Sequence, residues 1–141
     1  MTMNDDEQIV RAAVAAPAQL PEDVMDRLGD ERVTVLLSAA TAAALRRRFR
    51  TSPERAAVVD FTEELHSRFA SASSLLKPIV IEALVGFAFG DGDLADGLSP
   101  DDLRTALLVL PYAVLSEERL EGESLDRFVT EVLQSVYASE E

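Results

Sequence analysis

The 141-residue sequence contains no cysteine and no tryptophan, and its only histidine is His66. The absence of cysteine excludes disulfides, thiol catalysis and cysteine-ligated zinc sites, and it is the usage expected of a protein in a reducing cytosol. A single histidine leaves no Ser-His-Asp order to consider, and no glycine-rich phosphate loop follows a strand pattern. We therefore expect a protein that is not an enzyme.

We also expect neither a basic secretory leader nor a membrane-spanning stretch in this sequence. The first ten residues, MTMNDDEQIV, are acidic, whereas a signal peptide begins with a basic segment. The most apolar run covers residues 75–89, which is shorter than the roughly 20 residues that cross a bilayer. We predict a cytoplasmic protein with one domain over residues 1–141, frayed at its acidic ends, about 1–4 and 139–141.

Positive charge is scarce in this chain, and what there is lies mostly in the middle. The sequence has 13 basic and 26 acidic residues, which gives a net charge of −13. Residues 46–90 carry a net charge of +2, while residues 1–45 carry −5 and residues 91–141 carry −10. Surfaces that bind phosphates need basic side chains, so we expect neither nucleic acid nor an anionic membrane as a partner.

Helical periodicity is what the sequence has in abundance, and no strand-like alternation interrupts it. Helices are predicted over about 5–16, 21–28, 30–50, 51–69, 75–89, 99–110 and 124–137; Pro111 ends or kinks the sixth, and residues 112–120 can add two turns to it. The connections between them are short. These patterns predict an all-α fold: a single compact bundle of about six to seven helices around a central apolar helix, Leu75 to Phe89.

An acidic loop with several glycines follows the apolar helix and is a candidate metal site. Its candidate ligands are Asp91, Asp93, Asp96 and Asp102. The loop resembles the calcium-binding EF-hand, in which carboxylates at alternating positions surround a hard cation. The register departs from that motif, because starting at Asp91 places Ala95 at the fifth position and Asp96 where a glycine belongs. A divalent cation such as calcium is one reading, and a solvated connection between helices is the favoured one.

Five arginines within ten residues form a candidate binding patch. They are Arg46, Arg47, Arg48, Arg50 and Arg55. Cations are stabilised at the C-terminal end of a helix, which accounts for some of them as a solvated helix end. The cluster is also suited to bind an acidic peptide, a phosphate group or the acidic C-terminal third of another copy.

The last predicted helix has the clearest apolar stripe, which includes Leu125, Phe128, Val132 and Val136. It either docks on the core or contacts a second copy, and we take these four residues as candidates for self-association.

His66 lies three residues after Glu63, the spacing of carboxylate-bridged metal sites in helical bundles, and Glu82 of the next helix falls at a similar height. Helical spacing places Glu63 outside the apolar face, so a surface histidine is the favoured interpretation.

These observations together predict a non-catalytic protein–protein interaction module with no cofactor. An adaptor, regulator, immunity-type or chaperone-like protein fits, which binds another protein and forms a homodimer. The alternatives are a metal-binding helical protein that uses the acidic loop, and an acidic mimic of nucleic acid.

Overall fold

The computed structural model describes residues 4–70, 76–90, 98–116 and 118–140, and in these ranges it consists of α-helices without a β-strand. The helices are α1 (Asp5–Ala15), α2 (Glu22–Leu28), α3 (Asp30–Phe49), α4 (Arg55–Arg68), α5 (Pro78–Ala88), α6 (Pro100–Leu115) and α7 (Gly122–Ser139). A 3₁₀ turn, Pro17–Gln19, joins α1 to α2. The predicted all-α bundle is confirmed.

The helix at the centre of the bundle is α3, and not the apolar helix that the sequence suggested. It packs against α1, α2, α5, α6 and α7. Its residues Leu36, Ala40, Ala44 and Leu45 are fully buried, and the alanines allow neighbouring helices to approach closely. Because α3 has 20 residues with small side chains on several faces, it contacts more helices than the shorter, more apolar α5 does.

The apolar helix is present as α5, and it lies at one side of the bundle. Pro78 occupies its first turn, where a missing N–H costs least, and Gly90 follows its end with a φ of +82°. Its buried face packs on α3, α4 and α6. Ile79 on the outer side is 64% exposed, so α5 is a boundary helix of the core.

The bounds of α4 and α6 differ most from the predicted ones. α4 begins at Arg55 with Glu54 as its N-cap, so the start predicted at Thr51 is wrong by about one turn. α6 continues through Pro111 to Leu115, because proline has a helical φ and costs one backbone hydrogen bond. Burial of the residues around Pro111 in the core compensates for that bond.

α7 packs on α1 and α3, and a group of polar contacts connects these three helices at one end. Arg32 of α3 donates from Nη2 to Asp6 Oδ2 at 2.6 Å and from Nε to Asp6 Oδ1 at 3.2 Å. It also bonds to Glu140, and the Tyr137 hydroxyl donates to Asp6 Oδ2 at 3.2 Å. We call these four residues the Arg32 junction, and it connects α1, α3 and the end of α7.

Candidate functional site

Two arginines of the predicted patch are engaged within the chain. Arg46 Nη1 donates to the backbone carbonyl of Ala88 at 3.2 Å, which satisfies an acceptor at the C-terminal end of α5. Arg47 Nε donates to the carboxylate of Glu118 at 2.9 Å and ties α3 to the segment before α7. Both contacts are made within the chain.

Arg48 has a similar internal role. Its guanidinium lies 3.6 Å from the Glu64 carboxylate of α4. It also lies over the rings of Phe49 and Phe61, at 5.3 and 5.5 Å from their centroids. These two rings meet edge to face at 5.1 Å, so this group joins the end of α3 to α4.

The remaining two arginines of the patch are exposed and form no ion pair with any described residue. Arg50 follows the end of α3 with a φ of 64°, and Arg55 is the first residue of α4. The structure therefore separates the five predicted residues into three with intramolecular contacts and two that are available to a partner.

The predicted self-association residues of α7 lie mostly inside the chain's own core. Phe128, Val132 and Val136 are at most 2% exposed, and Leu125 is half-buried. The stripe packs on α1 and α3, which is the first of the two alternatives that the sequence left open.

The acidic loop falls largely outside the described residues, since Asp91, Asp93 and Asp96 belong to residues 91–97. Asp102 is described, and Lys77 Nζ binds its two carboxylate oxygens at 3.0 and 3.1 Å. Across the described ranges, histidine, aspartate and glutamate side chains do not gather in groups of three or more that could hold a metal ion.

A groove runs between α4 and α5 and is the concave feature with the clearest combination of apolar and charged groups. It has a volume of about 180 Å³ and continues into a second cavity of about 270 Å³ near the start of α4. The two share Arg55, Val58 and Glu82 as lining residues. The buried side chains of Val58 and Val85 contribute to their walls.

The Glu63, His66 and Glu82 side chains, which the sequence placed at a similar height, all line this groove. His66 Nε2 donates to the Leu76 carbonyl at 2.5 Å, and this bond fixes the ring at the junction of the two helices. Glu63 and Glu82 form no ion pair with the described residues. His66 therefore has a structural role here.

Two exposed apolar side chains on the helices that border this groove were not singled out by the sequence. Val59 is 48% exposed and Ile79 is 64% exposed, the two highest values among the large apolar residues described as exposed. The available signal was their position, because each lies beside the apolar stripe of its helix instead of within it. α4 has α5 as its principal packing partner, which leaves its outer face uncovered.

A cavity of about 450 Å³ lies at the 3₁₀ turn, α2 and α6. Leu20, Met25 and Leu108 supply apolar lining, and the charged rim includes Arg104, which pairs with Asp30 at 3.4 Å.

Within the described ranges, the structure contains no helix with the length and apolar content that crossing a membrane requires. Comparison of the chain with family models, with curated proteins and with solved structures gave no match.

Proposed function

We propose that this chain is a non-catalytic protein–protein interaction module that binds through the outer side of α4 and α5. We call this surface the α4–α5 face and define it by Arg55, Val59, Glu63, Ile79 and the groove between the two helices. The observation that carries the proposal is the exposure of Ile79 and Val59 on the two helices that border one groove. The arginine patch contributes Arg55 to this surface.

Burial of these side chains supplies the favourable free energy for binding. Removing apolar surface from water contributes about 25 cal/mol per Å², and a covered aliphatic side chain contributes roughly 1.5 to 3 kcal/mol. The groove offers a partner side chain an apolar floor at Val58 and Val85. An apolar centre with a ring of charged groups is the usual anatomy of a protein interface.

The charged groups of the face supply orientation. Arg55 and Glu63 are exposed, and neither forms an ion pair with a described residue. Pairing with opposite charges on a partner selects one docking geometry and adds less to affinity than apolar burial does.

The test is site-specific photo-crosslinking in the cells that naturally produce the protein. A photoreactive residue replaces Ala56, which is exposed on α4, and in a control variant it replaces Gln134, which is exposed on α7. We expect a discrete adduct from position 56 and none from position 134. The proposal fails if position 56 gives no discrete adduct, or if both positions give the same adducts.

A further inference from the structure

We infer that the α4–α5 face binds a second copy of this chain, with the two α4 helices antiparallel about a two-fold axis at Val59. The inference rests on the proposed function, because it names the partner of the same surface. Its basis is the order of charged and apolar residues along the exposed side of α4.

Arg55, Val59 and Glu63 follow one another at four-residue intervals, so they lie on one stripe of α4. All three side chains are exposed. The stripe therefore has a positive end, an apolar centre and a negative end, and each charge lies about 6 Å along the helix axis from Val59.

Such a stripe is complementary to itself in one orientation. When two copies of α4 pack antiparallel with Val59 on the axis, Arg55 of each lies opposite Glu63 of the partner subunit. The two valines meet at the centre, and the charge pair forms twice by symmetry. A parallel arrangement would place like charges opposite each other, which is unfavourable.

The position of Arg55 gives a second reason to expect a carboxylate from outside. Arg55 is the first residue of α4, and the N-terminal end of a helix favours acidic side chains over basic ones. No described residue of its own chain forms an ion pair with Arg55. Glu63 of the partner subunit would supply the missing negative charge at that end.

The size of the surface sets the strength of the contact. α4 has 14 residues and is about 21 Å long, so one face of it makes a small interface. We therefore expect a reversible dimer with a dissociation constant in the micromolar range or weaker, as for the smaller transient interfaces.

The experiment is sedimentation equilibrium of the full chain and of two charge reversals, Arg55→Glu and Glu63→Arg, alone and mixed. Each variant alone places like charges across the axis, and its dissociation constant should rise at least about tenfold. In an equimolar mixture, opposite charges again face each other at both positions. The mixture should therefore form a heterodimer of roughly the wild-type affinity.

Control variants carry the same charge changes on α7. Arg127→Glu and Glu123→Arg alter exposed side chains and should leave association unchanged. Recovery of the heterodimer also proves that both α4 variants are folded.

Three results would overturn the inference: a wild-type chain that stays monomeric to millimolar concentration, a mixture that does not associate, or control variants that weaken the dimer equally. A crosslinked adduct from position 56 with a different protein, together with a monomeric chain, would overturn the second copy and leave the interaction module standing. An adduct of twice the chain's mass agrees with both the interaction module and the second copy as its partner.

Discussion

Replacing Asp6 with asparagine removes a carboxylate charge from the Arg32 junction while keeping the side-chain shape. Two hydrogen bonds from Arg32, at 2.6 and 3.2 Å, and one from Tyr137 end on this carboxylate. The Asp6 and Arg32 side chains are 15% and 24% exposed. The pair is therefore largely covered, with its rim in contact with solvent.

The expected loss in the free energy of unfolding lies between the contributions of hydrogen bonds to charged groups and of exposed ion pairs. Hydrogen bonds to charged groups contribute about 1.5 to 3 kcal/mol, whereas exposed ion pairs contribute about 0.2 to 1 kcal/mol. Asparagine still accepts one bond from Arg32, so we expect Asp6→Asn to lower the free energy of unfolding by about 1 to 2 kcal/mol. With an unfolding entropy of roughly 0.3 kcal/mol/K for a chain of this length, Tm should fall by about 3 to 7 °C.

The assay is urea denaturation at neutral pH, with Arg32→Gln and the double variant completing a thermodynamic cycle. We expect a coupling free energy of about 1 kcal/mol between the two positions. The matched control is Asp5→Asn. Asp5 also accepts two bonds from an arginine, at 2.9 and 3.2 Å, but the Arg27 side chain is 59% exposed. Its substitution should cost less.

A coupling near zero between positions 6 and 32 would contradict the argument that burial strengthens this pair. An equal loss of stability in Asp5→Asn and Asp6→Asn would also contradict it, because the exposure of the ion pair would then not determine how much the pair contributes.

Three further predictions test the termini, the core and one turn. Burial raises the pKa of Tyr137 above its ordinary value of 10.0, and Asp6 raises it further, so in a Tyr112→Phe variant the tyrosinate absorbance should have its midpoint above 10.0. Because the folded pKa is the higher one, the contribution of Tyr137 to stability is complete below pH 10.0 and is lost as the pH rises through the folded pKa; a midpoint at or below 10.0 would contradict this. Phe128→Ala removes a ring that is 1% exposed and should cost about 3 to 5 kcal/mol in urea denaturation, and a loss under about 1 kcal/mol would place the ring outside the core. Gly29 joins α2 to α3 with a φ of +88°, so Gly29→Ala should lower the stability by about 1 kcal/mol in a thermal melt, and an unchanged Tm would show that the turn relaxes.

The fold class and most helix positions could be predicted because the signals are local. The span of α3 was predicted to within one residue, and the glycines at 29 and 90 marked helix ends as expected. For α7, the start predicted at residue 124 is two residues late, because Ser124 occupies the third helical position. The Glu121 N–H donates to the Ser124 hydroxyl at 3.2 Å and the Glu121 side chain accepts from the Ser124 N–H, so the helix begins at Gly122.

The central position of α3 could not be read from apolar content. Mean hydropathy reports how strongly a helix avoids water, and it favours α5. The number of neighbours depends on helix length and on how many faces carry small side chains, and α3 exceeds α5 in both. Its apolar residues on nearly every face were visible in the sequence, and burial on several sides is their physical consequence.

The candidate site was only partly predictable. The sequence identified the arginine cluster, but it could not show that Arg46 and Arg47 have partners 42 and 71 residues away. It also could not show that Arg48 pairs with a residue of the next helix. The sequence did not single out Val59 or Ile79. Their exposure depends on which side of α4 and α5 the rest of the bundle covers, and that is a tertiary property.

The Arg32 junction also has a consequence for the order of events in folding. The contact between Tyr137 and Asp6 joins positions 131 residues apart, whereas α4 and α5 are neighbours in the chain. Loop closure over such a separation is entropically costly, so we expect this contact to form after the transition state. Asp6→Asn should then leave the refolding rate nearly unchanged and accelerate unfolding, and stopped-flow measurement of slower refolding would place the closure of the chain early instead.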